Sequence, residues 1–134
     1  METRIIDKVA WIEIQDQQIL STRSRGKDKW YIPGGKREGT ETDAQTLIRE
    51  IKEELEVDLI PESVRYLGTF SAQADGHPDG VQVRMLCYQA NYEGQLKASA
   101  EIAEWDWLST KDQERIAAVD QIIFAWLKER QFIH

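Results

Sequence analysis

The chain has 134 residues, of which 41% are hydrophobic and 31% charged, with a net charge of -7. That length is one domain, residues 1–134, large enough for a proper core; the acidic balance argues against a surface that grips nucleic acid through its phosphates, but not against nucleotides, whose phosphates cations held on the same acids can meet. The single cysteine, Cys87, rules out an internal disulfide and reads as a small buried strand residue, no apolar run approaches the ~20 residues of a membrane span, and Met1 to Lys8 lacks the apolar core of a signal peptide, so the expected compartment is the cytoplasm.

Ile5 to Ile14 is rich in β-branched residues, with Ala10, Ile12 and Ile14 alternating with polar or exposed-type positions, and reads as a first strand. Asp16-Gln17-Gln18 is a turn, and Ile19 to Arg23 a returning strand. Ser24 to Lys29 is a polar, basic loop. Trp30-Tyr31-Ile32 is a short extended piece, because a residue before a proline, here Pro33, is pushed out of the helical region. After Gly34 and Gly35 the pattern becomes helical: Thr40 is placed to cap, with Asp43 at the third helical position. Ala44, Leu47, Ile48, Ile51 and Leu55 form one apolar stripe, and Pro61 marks a point by which the helix has ended. Val64 to Ala72 and Val81 to Asn91 read as strands joined by the polar loop Gln73 to Gly80. A turn follows at Asn91 to Gly94, then a strand at Ala103 to Leu108, a helical stretch opened by Ser109 with Asp112, and a C-terminal helix from Asp120 to Arg130. Strands, one inserted helix, more strands and a final helix predict a mixed sheet covered on both faces, of the α/β or α+β class.

The helix carries the chemistry. Glu50, Glu53 and Glu54 stand at i, i+3 and i+4, where side chains are neighbours. Like charges at this spacing repel by roughly 0.2–0.5 kcal/mol per pair, and the positions four residues after Glu50 and Glu53 hold Glu54 and Val57 instead of a lysine or arginine. On a helical wheel the centre of the three acids falls roughly opposite the apolar stripe, which predicts an exposed acidic face. A hard divalent cation would reverse the sign of that energy.

At these residues the chain resembles the Nudix hydrolase family, of the MutT-like kind, whose signature is G-x5-E-x7-R-E-U-x-E-E-x-G-U, with U a bulky aliphatic residue. Gly35, Glu41, Arg49, Glu50, Ile51, Glu53, Glu54 and Val57 meet it, while Glu56 replaces the second glycine. Because a non-glycine residue held left-handed costs roughly 1–2 kcal/mol, the helix is expected to run through Glu56 or end just beyond it.

The resemblance implies an α/β/α sandwich with a mixed β-sheet between helices. It also implies Mg²⁺-dependent hydrolysis (Mn²⁺ being the alternative ion) of a phosphoanhydride in a nucleoside diphosphate linked to another group. Glu50, Glu53 and Glu54 match the metal-binding acids, with the Gly34 carbonyl completing the site and Glu101 a further candidate ligand. Glu41 and Arg49 match a pair that orients the catalytic acids. Arg49 and Glu50 count with the catalytic set, and the general base is either Glu53 or Glu101; Glu101 stands six residues before Trp107, a spacing several family members share. Arg23 matches a phosphate-contacting arginine of some members, Gly35 lets backbone approach substrate closely, and Trp30 or one of Trp105 and Trp107 is the candidate for stacking on a base.

A nucleoside triphosphate is the expected substrate. Alternatives are ADP-ribose, a dinucleoside polyphosphate or a nucleotide sugar, or a non-catalytic ligand-binding regulator of the same fold. The expected partner is thus a small nucleotide, without nucleic acid polymer or membrane; the resemblance also admits a homodimer.

Overall fold

A computed structural model describes residues 4–134, and Arg4–Trp11 (β1) is the strand that organises them. The remaining strands are Ile14–Gln15 (β2), Gln18–Ser24 (β3), Trp30–Tyr31 (β4), Gly34–Gly35 (β5), Asp58–Leu59 (β6), Arg65–Gln73 (β7), Val81–Gln89 (β8), Tyr92–Glu93 (β9) and Ile102–Leu108 (β10). The helices are Asp43–Leu55 (α1) and Ala118–Glu129 (α2), with 3-10 turns at Pro61–Ser63 and Thr110–Arg115.

β1 runs parallel to β8, from Arg4 opposite Val81 to Trp11 opposite Tyr88, and antiparallel to β5 through Val9–Gly35 and Ala10–Gly34. With β7 on the far side of β8, the order is β5-β1-β8-β7; β10, β3 and β2 form a second sheet, with β4 also on β3. Strand alternation divides β1 between two cores. Ile6 and Ala10 join Val83, Met85 and Cys87 of β8 under Val119, Ile123, Phe124 and Leu127 of α2. Val9 and Trp11 face the other way, under Leu47, Ile51 and Leu55 of α1. The mixed sheet between helices is the architecture expected from the element order.

Several local expectations are corrected. The first strand ends at Trp11, not Ile14: the Trp11 amide donates to Pro33 and the Ile12 amide to Tyr88, and Ile14–Gln15 then pairs in the second sheet. The intervening hairpin turns on Asp16 and Gln17, both with positive φ (52° and 60°), the primed-turn geometry that matches strand twist. Helix α1 is capped by Thr42, not Thr40, with Gln45 completing a reciprocal capping box. Asp43 is thereby free of capping duty and takes Arg37 and the Tyr88 hydroxyl. The helix also stops where a glycine would stop it: Glu56 has φ 58° and donates its amide to the Lys52 carbonyl. The expectation that the helix avoids a left-handed Glu56 is therefore wrong. The left-handed turn sends the next residue, Val57, into the α1-side core, and that burial offsets the local strain.

Candidate functional site

The acids of α1 are arranged by one arginine and one pair of glycines. Arg49 grips Glu41 with two parallel bonds, Nε to Oε2 at 2.7 Å and Nη2 to Oε1 at 2.9 Å, and reaches Glu50 Oε1 through Nη1 at 2.9 Å. Its Nη2 also donates to the Lys36 carbonyl at 3.1 Å, tying the glycine loop to the helix. Glu41 accepts from the Glu38 amide and the Thr46 hydroxyl as well. The Arg49 bonds hold the Glu41 carboxyl down at about 2, and Arg49 is itself pushed further up its range by them. A planar fork can hold this geometry and a lysine cannot.

Gly34 and Gly35 are required by contact. Gly34 has φ 149°, and a Cβ there would overlap the backbone of Val9 and Ala10. A Cβ on Gly35 would overlap the carboxylate of Glu50 instead. The β5 backbone therefore lies directly against the acid.

The three acids do not share one exposed face. Glu53 is solvent-facing, its side chain 54% exposed and 3.5 Å from Arg49. Glu50 is 15% exposed at its side chain. Glu54 is only 5% exposed. Burial pushes the Glu54 carboxyl up to about 9, helped by the negative charges of Glu50 and Glu101 and opposed by the Gly34 backbone. Burial likewise raises Glu50 against the pull of Arg49. The exposed acidic face expected from the wheel is thus corrected: Glu54 lies only about 60° from Ile51 around the helix, close enough to the apolar stripe for β5 to cover it. Among the described residues no group of three His, Cys, Asp or Glu forms a preassembled cage. Two neighbouring carboxylates, one of them buried and neither matched by a buried cation, are what a divalent ion with oxygen ligands would neutralise.

Beside Glu54 opens a cavity of about 340 Å³, within the size range of small-molecule sites. Glu101, Gly34 and Gly35 line it near the acids. Lys8, Tyr31, Met85 and Asp120 also line it. Lys27 and Lys36 bring positive charge to the same space.

Two substrate-contact expectations fail in this geometry. Arg23 is not turned to the cavity: its Nε donates to Glu104 at 2.8 Å and its Nη1 to the Lys27 carbonyl at 3.0 Å. Strand alternation gives the cavity Thr22 and Ser24 instead. Trp30 is 5% exposed within the α2-side core and lies under the Arg115 guanidinium, 5.0 Å from its ring centre. Tyr31, one residue on and hence on the opposite strand face, is the aromatic at the cavity. Trp105 and Trp107 pack edge to face, 6.2 Å apart, against the α1-side core. Of the general-base candidates, Glu101 lines the cavity and Glu53 does not.

Asp120 is a residue the sequence reading missed. It is fully buried; its Oδ2 accepts from the Ile32 amide at 2.7 Å and its Oδ1 has no partner among the described residues. Burial raises its carboxyl to about 7. The signal was available: an acid at position 120 heads the apolar series Ile123, Phe124 and Leu127, where a solvated charge has no place.

The family model described as NUDIX domain matches residues 6–127. The chain belongs to the Nudix family. It is similar to the solved structure of the Escherichia coli ORF135 protein, at 26% identity and TM-score 0.72 over 96% of this chain and 94% of that one. The MutT protein from Methanosarcina mazei Go1 matches at 19% identity and TM-score 0.76, covering 97% of both chains. A MutT Nudix hydrolase from Burkholderia pseudomallei matches at 19% identity and TM-score 0.75, over 91% of this chain and 97% of that one. These last two likenesses establish the fold. No curated protein matches the sequence. Among the described residues no helix is long and apolar enough to cross a membrane.

Proposed function

We propose that the protein is a Mg²⁺-dependent pyrophosphohydrolase acting on nucleoside triphosphates. The observation that carries this reading is the cavity itself, whose wall includes two buried acids, Glu54 and Asp120. Glu50 and Glu54, with the Gly34 carbonyl and Glu101 nearby, would hold the ion; Glu53, at the rim of the same helix, is the remaining ligand candidate. Such an ion neutralises phosphate oxygens and makes phosphorus more open to attack.

The residues supply the rest. Lys27 and Lys36 draw the phosphate chain to the cavity of an otherwise acidic protein. Arg49 fixes Glu50 and Glu41, so the acids need no reorganisation when substrate arrives. Glu101 takes the proton of the attacking water as its oxygen bonds to phosphorus, the anhydride P–O bond breaks, and the leaving phosphate oxygen carries away the electron pair. Asp120 and Tyr31 would serve the nucleoside, an acid and an aromatic surface on a wall that also carries Ile6, Ile32, Val83 and Met85. The test is a panel of nucleoside triphosphates, ADP-ribose, dinucleoside polyphosphates and nucleotide sugars, assayed for phosphate or pyrophosphate release with and without Mg²⁺. Pyrophosphate released with a nucleoside monophosphate, only when Mg²⁺ is present, is the expected result. Turnover confined to another class moves the substrate, and nucleotide binding without turnover makes the protein a ligand-binding regulator.

A further inference from the structure

Lys8 is out of place for a surface lysine. It sits in β1 between Asp7, which pairs with Arg84 on the opposite strand face, and Val9. Its neighbours along its own face are Ile6 and Ala10, both core residues. The side chain is half-buried and lines the cavity. Its ammonium stands 5.8 Å from the centre of the Tyr31 ring and has no hydrogen-bond or ion-pair partner among the described residues. The carboxylates of Asp120, Glu54 and Glu50 all attract it, while Lys36 repels it. A lysine that only covers apolar surface carries its head out to water. This one lines a binding space, and its three N–H donors have no protein partner among the described residues.

We propose that Lys8 is a specificity-determining residue, donating a hydrogen bond to a carbonyl or ring-nitrogen acceptor on the base of the bound nucleotide. The inference rests on the nucleotide reading of the cavity. A base is favoured over a phosphate because Lys8 stands by the Tyr31 ring and shares the cavity wall with Ile6, Ile32, Val83 and Met85. Flat, weakly hydrated rings suit such walls, whereas a phosphate would lose its water there for a single cation. Phosphates would instead meet the ion that Glu50 and Glu54 would hold, with Lys36 also on the cavity wall. A buried donor that must find an acceptor discriminates strongly, because a base lacking one leaves the ammonium unpaired.

The experiment measures kcat/KM for ATP, GTP, CTP and UTP at fixed Mg²⁺ with the wild-type protein, Lys8→Met and Lys8→Gln, alongside thermal unfolding of each. Lys8→Met keeps the length and apolar stem; Lys8→Gln keeps N–H donors and serves if the methionine variant does not fold. The expected result is a fall of about tenfold or more in kcat/KM for the preferred nucleotide, the size of a hydrogen bond to a charged group, carried mainly by KM. The other nucleotides change less, so that preference collapses, and Lys8→Gln recovers part of it; unfolding temperatures stay equal or rise. A uniform loss across all four nucleotides overturns the base contact, and unchanged kinetics overturn any substrate contact. Failure of the wild-type protein to act on any of the four, with turnover of a compound lacking a triphosphate, overturns the nucleoside triphosphate reading and this inference with it.

Discussion

Glu54→Gln should make the metal-free protein more stable while destroying its activity. In the folded chain the Glu54 carboxyl is raised from 4.5 to about 9; in the unfolded chain it ionises near the lower value. A raised acid contributes its full stability below the unfolded pKa and loses it as pH rises towards the folded one. At pH 7, some 2.5 pH units above 4.5, that loss amounts to about 3 kcal/mol at ~1.4 kcal/mol per unit. Glutamine has nearly the same shape and never ionises, so it escapes the loss. For a domain of this size that corresponds to a rise of roughly 10 °C in Tm. The assay is calorimetric unfolding of both proteins in chelator from pH 4.5 to 8. The Tm gap should open in favour of the variant as pH rises and close near pH 4.5. Added Mg²⁺ should then raise the wild-type Tm and leave the variant nearly unchanged, since binding stabilises only the state that holds the ion. The variant's kcat should fall by ~100-fold or more, because the lost charge stabilisation matters most in the transition state. A variant less stable than the wild type at pH 7 in chelator, or a gap that ignores pH, would refute the reasoning.

Glu101→Gln should lower kcat more than Glu104→Gln, since Glu101 lines the cavity and Glu104 is bound to Arg23; initial rates at saturating Mg²⁺ decide it, and the reverse order would move the general base. Glu56→Gly should stabilise the fold by about 1 kcal/mol, relieving a left-handed residue, as read from the urea midpoint at unchanged m-value. Gly35→Ala should cost activity more than stability, because its methyl group meets the movable carboxylate of Glu50, whereas Gly34→Ala should destabilise strongly, because its methyl group meets backbone; kcat and Tm of the two variants separate the cases.

How much of this was readable beforehand depends on what kind of constraint each residue obeys. The strand and helix order follows from periodicity and survives intact, as does the Arg49–Glu41 pair implied by the family likeness. Glu54 was misread because a wheel describes one helix alone, and its burial is imposed by β5, a strand whose glycines say only that something lies close. Glu56 was misread for a related reason: local strain was counted, but not the burial of Val57 that follows the left-handed turn. Trp30 and Tyr31 differ by one position, and nothing in a short extended piece before a proline fixes which of them faces inward. Arg23 depended on Glu104, a partner 81 residues away. Asp120 alone was legible and overlooked, as an acid inside an apolar helical stripe.

The division of β1 between two cores has an evolutionary consequence. Trp11 supports the helix bearing the acids, Ile6 and Lys8 form part of the wall a ligand meets, and Val9 belongs to both. A position such as Lys8, on the wall but outside both cores, can therefore drift under selection for a new metabolite while Trp11 is held fixed. β8 gives the changing set further positions in Val83 and Met85. A gene duplicate of this chain could acquire a different diet through a few substitutions on one face, with its chemistry inherited unaltered on the other.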